Sequence, residues 1–116
     1  MTTGTGGSVV RTVVLDAHLP APREVERIEV RRITMPPGCP AGLHVHNGPV
    51  VGSVLTGSVV FQIEGGPETT LAPGDVFFEP EGARIARFDA GDDGVTFLGY
   101  FPVGRGEVPE MTFPES

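Results

Sequence analysis

A chain of 116 residues is long enough to bury one core and too short for two, so any second activity has to share one domain. Eight basic against fifteen acidic residues leave a net charge of −7, which repels a phosphate backbone and argues against nucleic acid as a partner. One cysteine, Cys39, excludes an internal disulfide, and no apolar stretch reaches the length of a signal segment or membrane span, so a cytoplasmic protein without membrane contact is expected.

Seventeen glycines and twelve prolines punctuate short apolar runs at regular intervals, the pattern of many strands joined by tight turns. Residues 1–8 carry no core-forming side chain beyond Met1 and are expected to be loose. Val9 to Leu15 is an apolar, β-branched run that reads as a strand. Glu24 to Met35 alternates loosely, as a strand with a partly covered outer face would, and Pro36-Pro37-Gly38 ends it. After the segment holding His44 and His46, Val50 to Leu55 and Ser58 to Glu64 read as a hairpin around Thr56-Gly57. Thr69 to Leu71 and Val76 to Glu79 follow, then Ala83 to Phe88 and Val95 to Phe101, with Asp89 to Gly94 read as an exposed loop. Residues 9–103 are thus expected to form the domain. Residues 104–116 form a tail over its surface, pinned by Met111 and Phe113.

Side chains in a strand repeat every two residues, so His44 and His46 point the same way and can hold one cation or polarise one ligand. The bland alternative is two polar residues on a solvated face. The surrounding pattern weighs against it. Gly38 to Gly57 reads G-x5-H-x-H-x3-V-x6-G, and Gly74 to Asp89 reads G-D-x4-P-x-G-x2-I-x3-D. These segments resemble the two signature motifs of the cupin superfamily, matching at Gly38, His44, His46, Gly57, Gly74, Asp75, Pro80 and Gly82.

The resemblance implies an all-β, single-domain jelly-roll, an antiparallel β-barrel. It also implies a site at His44 and His46. Two positions depart from the family pattern: Val50 stands where metal-binding cupins usually carry a glutamate, and Ile85 where they carry a last histidine. Only two of four usual ligands remain.

In the cupin register, Val50, Gly52 and Val54 face inward, with Ile85 and Arg87 opposite. The expected pocket is therefore mostly apolar, with His44 and His46 on one wall, Val50, Val54 and Ile85 around them, and Gln62, Glu79 or Arg87 reaching in. A catalytic transition-metal site usually takes three protein ligands, so two histidines hold a metal weakly. Glu79 is the candidate third ligand or acid/base. Cys39 is better read as a small packed residue and His18 as a surface residue.

Three functions stay open. The first is a tailoring isomerase, cyclase or lyase acting through His44, His46 and Glu79 on a small apolar substrate. The second is a non-catalytic ligand-binding cupin. The third is a metal-dependent enzyme of dioxygenase or decarboxylase type. The cofactor expectation is none, or a weakly bound divalent ion (Ni, Zn or Fe). A homodimer through the N-terminal run is expected, because an unpaired apolar strand invites pairing with another chain.

Overall fold

Two long strands carry the architecture. In the computed structural model, which describes residues 7–115, they are β3 (Val50–Ile63) and β6 (Ile85–Val103), antiparallel to each other along most of their length. β1 (Arg27–Met35) pairs with the second half of β6, while β4 (Thr69–Leu71) and β5 (Val76–Glu79) pair with opposite ends of β3. A separate two-stranded ladder joins β2 (Val45–His46) to β7 (Met111–Thr112). No described residue is helical, every ladder is antiparallel, and the architecture is an all-β jelly roll. Among the described residues no helix is long and apolar enough to cross a membrane. Most of the loose start expected at 1–8, residues 1–6, lies outside the described residues.

Two turn readings are corrected. Thr56-Gly57 does not close a hairpin: β3 runs straight through it, with register shifts between Val54 and Thr56 and between Gly57 and Val59. Asp89 to Gly94 does not leave the sheet either, although Asp92 and Asp93 are exposed; it is a bulged excursion within β6, with Ala90 and Gly94 buried. Gly57 has φ +78°, and a Cβ there would drive into the Gly94 carbonyl, so only glycine lets the strands cross here. Glycine marks bulges as well as turns, and local sequence does not separate them.

The inward face of β3 follows the expected alternation, with Val50, Gly52 and Val54 buried. Gly52 is bare because the Phe77 ring lies where its Cβ would be. Phe77, Phe88 and Phe97 then stack with Phe61, with ring centroids 4.9–6.2 Å apart, and Val54, Val59, Leu71, Ile85 and Val95 complete the core. Val9 to Leu15 forms no strand, and its valines stand exposed.

Candidate functional site

His44 is held by backbone. Its N–H donates to the Ile85 carbonyl at 3.2 Å, and the Ile85 N–H returns the bond to the His44 carbonyl at 2.9 Å, locking the two motifs together. His46 lies on β2, whose partner β7 is tied down by Asn47: its side-chain amide donates to the Val108 carbonyl and its oxygen accepts from the Glu110 N–H. Glu79 ends β5 directly opposite Val50 on β3. Paired residues share a sheet face, so the carboxylate missing at Val50 reaches the same region from the neighbouring strand.

The three side chains converge. Glu79 Oε1 lies 2.6 Å from His46 Nε2 and 3.3 Å from His44 Nε2, and the potential donor atoms of all three fall within 4.8 Å of one another. His44 and Glu79 are each only 3% exposed, which puts the pair out of reach of bulk water. His44 Nδ1 sits 2.8 Å from the Gly42 carbonyl, which can only accept, so Nδ1 carries a proton and Nε2 is the working nitrogen. In the neutral imidazole that Nε2 is a lone pair aimed at a carboxylate oxygen. The contact requires a positive charge at the vertex, supplied by a proton or by a cation.

Electrostatics agree with that requirement. Burial, the largest influence on His44, disfavours its charge, but the bonds to Glu79 and the Gly42 carbonyl and the Glu79 charge outweigh it, so its pKa lies above the usual 6.5. Burial is also the largest influence on Glu79 and favours the neutral acid, yet the hydrogen bonds and charges of His44 and His46 hold its pKa below the usual 4.5.

Beside the cluster lies a cavity of about 290 Å³. Ile33 and Met35 of β1, Cys39 to Ala41, Phe88 and Phe97 of β6, and Met111 of β7 form its walls, so His44, His46 and Glu79 are its only ionisable oxygen or nitrogen groups. The walls are otherwise apolar apart from the Cys39 thiol and backbone.

The structure brings together His44, His46 and Glu79, and separates the rest of the anticipated pocket from them. Val54 and Ile85 are packed in the core, and Val50 is buried at a smaller crevice beside His46. Gln62 donates to the Gly66 carbonyl within its own turn. Arg87 points outward to Glu68 and Asp89, correcting the expectation that it faces in with Ile85. The cause is a bulge: Gln62 pairs with Arg87 but Ile63 pairs with Ile85, so one extra residue on β6 flips the alternation and sends Phe88 inward instead. Cys39 packs against the core, and His18 is exposed beside Asp16. Sequence reasoning missed Ile33, Met35 and Met111 as cavity residues. The two-residue spacing of Ile33 and Met35 was a usable signal; the Met111 contact depends on the long return of the tail.

The model of the Cupin domain family matches residues 31–98, more than half of the chain. The chain belongs to the cupin family. Among solved structures, this cupin is similar to the DMSP lyase DddQ from Ruegeria pomeroyi, with 27% identity over 77% of this chain and 45% of that one and a TM-score of 0.66. An oxalate oxidase solved with the substrate analogue glycolate shares 20% identity over 74% of this chain and 45% of that one, TM-score 0.63. A double-stranded β-helix protein from Klebsiella pneumoniae shares 21% identity over 99% and 91% of the two chains, TM-score 0.62. These last two likenesses speak to fold alone. This cupin spans about half the length of the lyase and the oxidase. A search of curated protein sequences finds no match.

Proposed function

We propose that this cupin is a small-molecule enzyme of the lyase or isomerase class, with a divalent ion held by His44, His46 and Glu79. The convergence of those three donors within 4.8 Å, with the His44 tautomer fixed by Gly42, is the observation that supports it. Two imidazoles and a carboxylate suit Zn²⁺, Ni²⁺ or Fe²⁺, and with three protein ligands such an ion would keep room in its coordination shell for water or substrate. A bound ion of this kind supplies a Lewis acid that polarises a carbonyl oxygen. The apolar walls exclude water and orient the hydrocarbon part of a substrate. His46, more exposed than its two partners, is the group placed to exchange a proton with a substrate in the metal-free cluster; Glu79 Oε1, in contact with both Nε2 atoms, would relay a proton taken up at His46 to His44 Nε2.

A cavity of 290 Å³ is about twice the volume of an engineered apolar cavity that holds benzene, so a ligand on the order of ten heavy atoms fits. The 27% identity to a DMSP lyase supports elimination chemistry without identifying the substrate. A cytoplasmic setting, which keeps Cys39 a thiol, is part of this reading.

The test is metal analysis and calorimetric titration of purified protein with Zn²⁺, Ni²⁺ and Fe²⁺, beside His44→Ala, His46→Ala and Glu79→Gln. One ion per chain in the wild type and loss of binding in each variant is expected. Wild-type protein that binds no divalent ion, or variants that bind as well as wild type, would sink the metal assignment. Retained ligand binding with no turnover of carbonyl compounds or elimination substrates by the metal-loaded protein would favour the non-catalytic binding role.

A further inference from the structure

The cavity beside the histidine cluster has a smaller neighbour, a crevice of about 120 Å³ bordered on its far side by Arg31, Phe101, Pro109 and Glu110. Ile33, His46 and Met111 line both voids, so these three side chains form the partition between them. They are not equally firm. Ile33 is β-branched and sits within the β1–β6 ladder opposite Phe97, and His46 is held by Glu79 at 2.6 Å. Met111, unbranched and 44% exposed on a two-residue strand, is the one that can be cut back without touching the main sheet or the cluster.

We infer that Met111 sets the length of ligand the site accepts, by dividing what would otherwise be one groove running from the His44, His46 and Glu79 cluster to Arg31. This rests on the cavity being the ligand site proposed above, and not on a bound metal. The backbone that carries Met111 is tied down on both sides. Met111 pairs with His46 across the β2–β7 ladder, and the Asn47 N–H donates to the Glu110 carbonyl at 3.1 Å. Asn47 Oδ1 accepts from the Glu110 N–H at 2.8 Å, and its Nδ2 donates to the Val108 carbonyl at 2.9 Å. The partition therefore belongs to the side chain and not to the course of the tail. Beyond it the walls stay apolar at Ile33, Phe101 and Pro109, and the crevice carries one charge of each sign, Glu110 and an Arg31 guanidinium lying 5.1 Å from the centre of the Phe101 ring. Such a crevice selects by length and not by ligand charge. Its 120 Å³ hold about four further heavy atoms, at ~30 Å³ for each water-sized group.

Calorimetric titration of the purified protein with straight-chain 2-alkanones, from 2-pentanone to 2-tridecanone, reads that limit. Each methylene that is buried should raise affinity about fourfold. In the wild type the rise should stop near about ten heavy atoms, the size that fills the cavity. Met111→Ala should move the stop about four carbons further. Met111→Leu, which keeps most of the side-chain volume, should leave it within about one carbon of the wild type. Loosening of the tail as a whole would instead lower affinity by one factor at every length and leave the stop in place.

A stop that Met111→Ala does not move, or that Met111→Leu moves as far, overturns the inference while leaving the cavity as the ligand site. A wild-type affinity that climbs through 2-tridecanone without a stop overturns it as well. Absence of ketone binding at every length, in wild type and variants alike, would overturn the cavity as a site for carbonyl ligands and this inference with it.

Discussion

The two ends of the barrel interior are lined by the same strands and finish differently. At one end Phe61, Phe77, Phe88 and Phe97 interlock, and Gly52 yields its side-chain space to Phe77, so the interior is solid. At the other, Ile33, Met35 and Met111 line a wall without filling it, and three ionisable groups share the void. Phe88 and Phe97 belong to both: one side of each ring closes the core and the other is the cavity floor. A small barrel therefore need not choose between being packed shut and being hollow. Ring volume fills one end, and at the other the polar cluster resists being covered by more hydrocarbon, because its charges need partners.

The largest expected effect breaks the solid end. Phe77→Ala, buried in the core and not on the cavity wall, should cost about 3–5 kcal/mol in urea unfolding, whereas Met35→Ala, on the cavity wall, should cost about 1–2 kcal/mol because less of its surface is packed. Equal losses would mean that the cavity end is as tightly filled as the core.

At the polar end, Glu79→Gln keeps the shape but removes the charge between two imidazoles, and should cost the metal-free protein about 1–3 kcal/mol. Val50→Glu tests the strand register. It places a second carboxylate opposite Glu79, so it should destabilise the metal-free protein by about 1–3 kcal/mol and recover much of that on adding Zn²⁺, read as the rise in melting temperature. Failure of Zn²⁺ to recover more stability in Val50→Glu than in wild type would place that side chain away from the cluster.

The pH profile sharpens the same contrast with a smaller effect. Glu79, held below its usual 4.5, contributes stability that is present above pH 4.5 and lost as pH falls through its lowered value. His44, held above its usual 6.5, contributes stability that is complete below pH 6.5 and lost as pH rises through its raised value. The metal-free melting temperature should peak between those limits and fall on both sides, and Glu79→Gln should flatten both limbs. A wild-type profile already flat from pH 4 to 8 would contradict the coupling. Smallest of all, Arg87→Ala removes an exposed partner of Glu68 and Asp89 and should leave both melting temperature and metal binding unchanged within error.

The paired histidines, the strand-rich pattern, the matched glycines and the apolar character of the site were legible in the sequence because they rest on local periodicity and fixed motif spacing. Residues 31–98, which carry both motifs, are where the family model matches. Bulges were not legible: Gly57 and Gly94 look like turn glycines until the strands that cross at them are seen, and the extra residue that turns Arg87 outward shows only in the pairing of β3 with β6. The sequence alone could name Glu79 as a candidate third donor but could not say which face of β5 it occupies. Tertiary structure decided that by setting Glu79 opposite Val50, so that a carboxylate 33 residues beyond His46 meets both imidazoles. Motif spacing records what one segment can present; which atoms meet depends on register between strands distant in the chain, and a one-residue slip there reverses every side chain.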